Sequence, residues 1–179
     1  GRTLVLHLWG KAVLRPCLPH VGNEVRQVAG LFQSHPDGNV ILLDAETGDR
    51  VLQASLGWPD VPAEWRVHAD EGLSGRAILD GELHYTADVR RESTYLPSLA
   101  SGSEVDVPLR MDGRTIGVLV VESMEPDAFG EEDFEILTAA ANQAAIAVAR
   151  ARLLEAERRR ADEHKALLDT IADLSSALE

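Results

Sequence analysis

Apolar positions recur along the chain with two periods, and each period predicts an element. From Val21, the positions Val25, Val28, Leu31 and Phe32 fall at three- and four-residue steps. They form one stripe of a short helix, which His35-Pro36-Asp37-Gly38 ends. The run Val40-Ile41-Leu42-Leu43, the turn residues Ala45 to Asp49 and a second run from Arg50 to Leu56 predict a β-hairpin. Gly57 to Asp70 has prolines and tryptophans but no period, so it is a loop in which Trp58 and Trp65 cap the edge of a core. Glu71 to Gly81 predicts a glycine turn, a short helix with Ser74 as N-cap, and a glycine stop. Leu83 to Val89 follows as a strand. Residues 90 to 102 form a polar connection around Tyr95, Leu96 and Leu99, a segment suited to a lid.

The clearest alternation comes next. In Ser103 to Arg110, Val105, Val107 and Leu109 share one face, and Glu104, Asp106 and Pro108 share the other. Asp112-Gly113 is a hairpin turn, and Thr115 to Glu122 is the returning strand. Phe129-Gly130-Glu131 then opens a helix with no breaker through Glu179. From Phe134 to about Leu153 its Ala-rich, aliphatic composition suits packing on a sheet. Farther on, Leu167, Ile171, Leu174 and Leu178 keep the spacing of a coiled-coil seam. Extended backwards to Leu153, that seam passes through His164, Arg160 and Glu157, so its middle is weak. Residues 1 to 20 alternate at Leu4, Leu6 and Leu8 before Pro16 and Pro19 intervene, and they stay unassigned.

Composition narrows the function classes. The 179 residues fit one α+β domain with an appendage. With 30 acidic against 17 basic residues, the net charge of -13 repels phosphate backbones and anionic lipid, which argues against nucleic-acid and membrane partners. No apolar run reaches the roughly 20 residues of a bilayer span, and no signal-like pattern opens the chain, so a cytoplasmic location is expected. One cysteine, Cys17, forms no internal disulfide and no multi-cysteine metal site. Apolar residues make up 45% and aromatics 4%, which predicts an aliphatic core.

Several segments together resemble a GAF domain: Gly72-Leu73-Ser74-Gly75, Gly81, Ala87-Asp88-Val89, Ser103 to Leu109, Gly113 to Leu119, Phe129 to Asp133, and the helix ending Ala149-Arg150-Ala151-Arg152-Leu153. The resemblance covers roughly residues 21 to 153, after a lead-in of 1 to 20 and before a signalling helix of 154 to 179. It implies a PAS-related central antiparallel sheet of about six strands, helices on one face, and a roofed small-molecule pocket on the other. It also implies a sensory or regulatory module whose terminal helix pairs in a homodimer. That helix would lead to an output domain such as a histidine kinase, diguanylate cyclase or phosphatase. The Asn-Lys pair of the cyclic-nucleotide branch is absent, and so is a core cysteine for a bilin. The free methionine sulfoxide reductase branch is similar at Ser103-Glu104 and Glu122, where family carboxylates hold the substrate amine. Val120 stands where that branch has another acid, and its catalytic cysteines are missing. Without a thiolate nucleophile that chemistry has no start, so the expectation is a non-enzyme.

Within this frame, Glu104 and Asp106 are the leading ligand-binding candidates, joined by Glu122, Tyr85, Tyr95 and Ser101. Buried carboxylates need a cationic ligand, a cationic neighbour such as Arg76 or Arg110, or water. No ligand or cofactor identity follows. Leu153, Leu167, Ile171, Leu174 and Leu178 are the candidate dimer interface. An alternative is a dimerisation module with a vestigial pocket. His68 and His84 have no companion ligand at metal spacing. Gly72 and Gly75 lack the lysine of a phosphate loop and make a turn. Arg158 to Arg160 lie among acids on a solvated helical face.

Overall fold

The computed structural model describes residues 13–14, 37–56, 65–96 and 101–176. Among the described residues seven antiparallel strands fill six positions: β1 (Val13–Leu14), β2 (Asp37–Leu43), β3 (Arg50–Leu56), β4 (Arg66–Val67), β5 (His84–Thr86), β6 (Ser103–Met111) and β7 (Arg114–Ser123). Their order across the sheet is β1, β3, β2, β7, β6, β5, and β4 shares an edge of β3 with β1. The described helices are α1 (Gly72–Asp80) and α2 (Glu131–Ser176). The helix expected over 21–32, Trp58, Cys17 and Leu178 lie outside the described residues.

Turn chemistry sets the hairpins. Between β2 and β3, the Asp44 carboxylate accepts from the N–H groups of Glu46 and Thr47. Between β6 and β7, Asp112 and Gly113 both take positive φ, 49° and 75°, the pair of left-handed residues a two-residue hairpin needs. In the centre of the sheet β2 and β7 approach closely. A Cβ on Gly117 would lie 2.3 Å from the Ile41 carbonyl oxygen, so only glycine fits there.

The two sheet faces differ in chemistry. On one, Val40, Leu42, Val105, Val107, Leu109, Leu119 and Val121 pack against Leu137, Ala140, Ala141, Ala144 and Val148 of α2. The small alanines let the helix lie close to the strands. On the other, Ile41, Leu52, Val118 and Val120 meet Ala77 and Ile78 of α1.

Three local expectations are corrected. Ser74 is not the N-cap of α1: the helix starts at Gly72 after Glu71, and the Ser74 hydroxyl accepts from Arg50. The strand expected over 83–89 closes after Thr86, because the Asp88 carboxylate captures the Arg90 N–H and starts a 3-10 turn over Val89–Arg91. The stretch 57–70 is not all loop, since Arg66–Val67 pairs with Arg50 and Val51. Gly81 does stop α1, at φ 72°, with its N–H on the Ala77 carbonyl at 3.0 Å. As expected, α2 runs on unbroken. From Glu157 onward its described side chains are exposed. No described helix is long and apolar enough to cross a membrane.

Candidate functional site

Strand parity and register place three acids together. Glu104 and Asp106 alternate with the core residues of β6 and therefore face α1. Glu122 of β7 lies directly opposite Glu104, and Asp106 lies opposite Val120. All three are at least 95% buried. Like charges directly opposed across two strands repel, and burial removes the water that would screen them. Burial, reinforced by the charge on Glu122, pushes the Asp106 carboxyl up to about 7. Burial first, then Asp106 and Glu122, push Glu104 well above the usual carboxylate range.

The neighbours satisfy these acids unequally. Glu122 accepts from the Ser101 hydroxyl at 2.8 Å and, at a long 3.4 Å, from the Tyr95 hydroxyl, both from the connection before β6. Neither oxygen of Asp106 has a hydrogen-bond donor among the described residues. Only when one of the two acids is protonated can Asp106 and Glu104 share a hydrogen bond. The arginines anticipated as partners are engaged elsewhere. Arg76 pairs with Glu92 at 2.8 Å and reaches Thr94, and Arg110 donates to the Gly81 carbonyl.

The nearby buried cation is one the sequence did not single out, Arg50 of β3. Its guanidinium donates to the carbonyls of His68 and Glu71 and to the Ser74 hydroxyl, tying β3 to the start of α1. All three acceptors are neutral, so its charge acts on Asp106 and Glu104 only through space, while burial lowers its own affinity for a proton. A charged residue opening the apolar run of β3 was the available sequence signal.

Tyr85 is corrected out of the acidic face. It pairs with Val105 and points to the α2 side, where its ring lies 6.1 Å from Phe129 and 5.2 Å from Phe134 and its hydroxyl donates to Asp127. Parity explains this: a residue opposite Val105 shares the core face. His84, its neighbour, faces the acids opposite Asp106, with Nε2 2.7 Å from Asp80 Oδ2. His68 meets Asp49 at the surface. Among the described residues no cluster of His, Cys, Asp or Glu has the geometry to hold a metal. Along α2, Leu153, Leu167 and Ile171 are more than half exposed, and Leu174 continues the same helix.

With this geometry, relatives can be compared. The sequence profile of the GAF domain family matches residues 18–149. The Bacillus subtilis (strain 168) protein YtsP is 30% identical over 122 residues, 66% of this chain and 73% of its own. Among solved structures, a free methionine-R-sulfoxide reductase from Neisseria meningitidis, in complex with its substrate, is 27% identical with a TM-score of 0.66, covering 75% of this chain and 80% of that one. The GAF domain of an Acinetobacter phosphoenolpyruvate-protein phosphotransferase shares the fold at 21% identity and a TM-score of 0.64, covering 79% of this chain and 97% of that one. Reductases recur among the neighbours, and they correct the expectation of a non-enzyme. That expectation weighed a missing cysteine pattern, whereas the whole architecture is one on which enzymes are built.

Proposed function

The chain belongs to the GAF domain family, and from that premise we propose that it binds a small molecule carrying an ammonium group, held by Glu104, Asp106 and Glu122. One observation carries the reading: Asp106 is fully buried beside two further acids, and apart from a proton shared with Glu104 its oxygens meet no donor among the described residues. An ammonium brings three N–H donors and a positive charge, which answers both deficits at once. Free amino acids carry such a group. Free methionine-R-sulfoxide, the compound named for the Neisseria meningitidis neighbour, is therefore the first to test.

Turnover of that compound would remove the sulfoxide oxygen as water and oxidise two thiols to a disulfide. Cys17 is the single thiol of the sequence, so a separate thiol reductant would complete the couple. A sensory use of the same binding event is supported by β6. This strand carries Glu104 and Asp106 on one face and Val105, Val107 and Leu109 against α2 on the other. A ligand that favours one position of β6 thereby acts on the helix that would lead to an output domain.

Calorimetric titration with free methionine-R-sulfoxide, methionine and simple alkylamines tests the binding, and a thioredoxin-coupled assay on the sulfoxide tests turnover. Binding by the wild type that weakens at least tenfold in Asp106→Asn is the expected result. Folded wild-type protein that takes up none of these amines at millimolar concentration would sink the reading.

A further inference from the structure

The acids are one end of a longer polar row. Cross-strand pairing lines up Ser55 of β3, Asn39 of β2, Val120 of β7 and Asp106 of β6 as direct neighbours on the face toward α1. The bulge between Val40 and Ile41 does not break this row, since β2 keeps continuous register with β7 through it. Asn39 is completely buried and Ser55 is 5% exposed. Neither amide atom of Asn39 has a hydrogen-bond partner among the described residues, and neither does the Ser55 hydroxyl.

A buried amide or hydroxyl without a partner has lost its water and gained nothing in return, so two adjacent residues left in that state call for an occupant. The unsatisfied residues at both ends of the row share one face, and Val120, apolar and packed in the cluster with Ala77 and Ile78 of α1, lies between them. Adjacent strands lie about 4.8 Å apart, which sets the backbone of Asn39 about 10 Å and that of Ser55 about 14 Å from Asp106. Asn39 and Ser55 are neutral and offer both donors and acceptors. A carboxylate there would face no formal charge from either side chain, whereas a neutral oxygen acceptor matches them.

We propose that Asn39 and Ser55 form a second recognition pole, and that the ligand is an amine whose far end carries a neutral dipolar oxygen, that of a carboxamide or a sulfoxide, across a short apolar linker. The inference rests on the ammonium-binding reading and deepens it. Asp106 takes the ammonium, the linker covers Val120, and the Asn39 Nδ2 and Ser55 hydroxyl donate to the neutral oxygen. A carboxamide also returns an N–H to the Asn39 Oδ1; a sulfoxide does not.

The test titrates the full chain with hexylamine, 6-aminohexanamide and hexanamide, and with methionine against free methionine-R-sulfoxide. Wild-type protein is expected to bind 6-aminohexanamide at least tenfold more tightly than hexylamine, and hexanamide only weakly. Asn39→Leu and Ser55→Ala are expected to bring that ratio close to one while leaving hexylamine binding intact. Asp106→Asn is expected to weaken both amines. Preference for methionine-R-sulfoxide over methionine, lost in Asn39→Leu, would assign the pole to a sulfoxide, and preference confined to the carboxamide pair would assign it to an amide. If wild type binds hexylamine and 6-aminohexanamide equally, with no preference for the sulfoxide over methionine, the second pole is overturned and the ammonium site stands. If no amine binds, both fall. Ser55→Ala and the wild-type ligand pairs decide the matter even if Asn39→Leu does not fold.

Discussion

Asp106 is held where its ionised form is poorly served, and that has a measurable signature. Its carboxyl is pushed up to about 7 from an ordinary 3.8, so between those limits the folded chain keeps a proton that the unfolded chain has released. Its contribution to stability is therefore full below about pH 4 and declines as pH rises toward 7. Glu104 shifts in the same direction. Glu122, Arg50, Arg76, His84 and the Tyr95 hydroxyl are the other charged or titratable groups around this point. The ligand-free melting temperature should thus be lower at pH 8 than at pH 5 on account of these acids. Asp106→Asn should flatten that slope and raise stability at pH 8 by about 1–3 kcal/mol, read by calorimetry. An ammonium ligand prefers ionised acids, so its affinity should rise between pH 6 and 8 by up to about tenfold per unit, with protons released on binding. A variant that gains stability while losing its ligand is the pattern of a residue kept for binding rather than for folding.

Elements, in contrast, were set largely by local pattern. Gly117→Ala tests the tightest point between β2 and β7: the added methyl would press on the Ile41 carbonyl, and a loss of about 1–3 kcal/mol by denaturant melt is expected. The β6–β7 hairpin was legible because a strict period of two meets an Asp-Gly turn, and both signals are local. Strand parity also gave the orientation of Glu104 and Asp106 before any contact was known. Asn39 was not legible as a binding residue, because at the head of an apolar run a polar residue looks like a boundary. Its place in a row with Asp106 depends on pairing with β7, more than seventy residues away. Ser74 failed for a related reason. A hydroxyl near a helix start suits an N-cap, but Arg50 reaches it from another strand. Tyr85 could have been placed by parity with Val105 once β5 was paired to β6.

At the scale of the whole molecule, the sheet is a partition with an acidic, partly unsatisfied face and an aliphatic, well-packed one. The long helix belongs to the second. Its outer part carries Leu167, Leu168 and Ile171 more than half exposed on a single helix, and a long isolated helix gains little without a packed face. The proposed homodimer would supply that face. Analytical ultracentrifugation should then report a dimer, and Leu167→Lys with Ile171→Lys should shift it to monomer without altering the melt of the sheet. Retention of a monomer by the wild type at tens of micromolar would count against pairing.

The unbroken course of α2 sets the gain of any motion at its base. Arg152 anchors the helix to the Leu43 carbonyl at 3.0 Å near the rim of the sheet, and the residues from there to Ser176 extend about 36 Å. With no proline or glycine to act as a hinge, a tilt of about 5° at that fulcrum would swing the tip by about 3 Å. A lever of this kind converts a sub-ångström adjustment under the strands into a displacement that a docked neighbour can register.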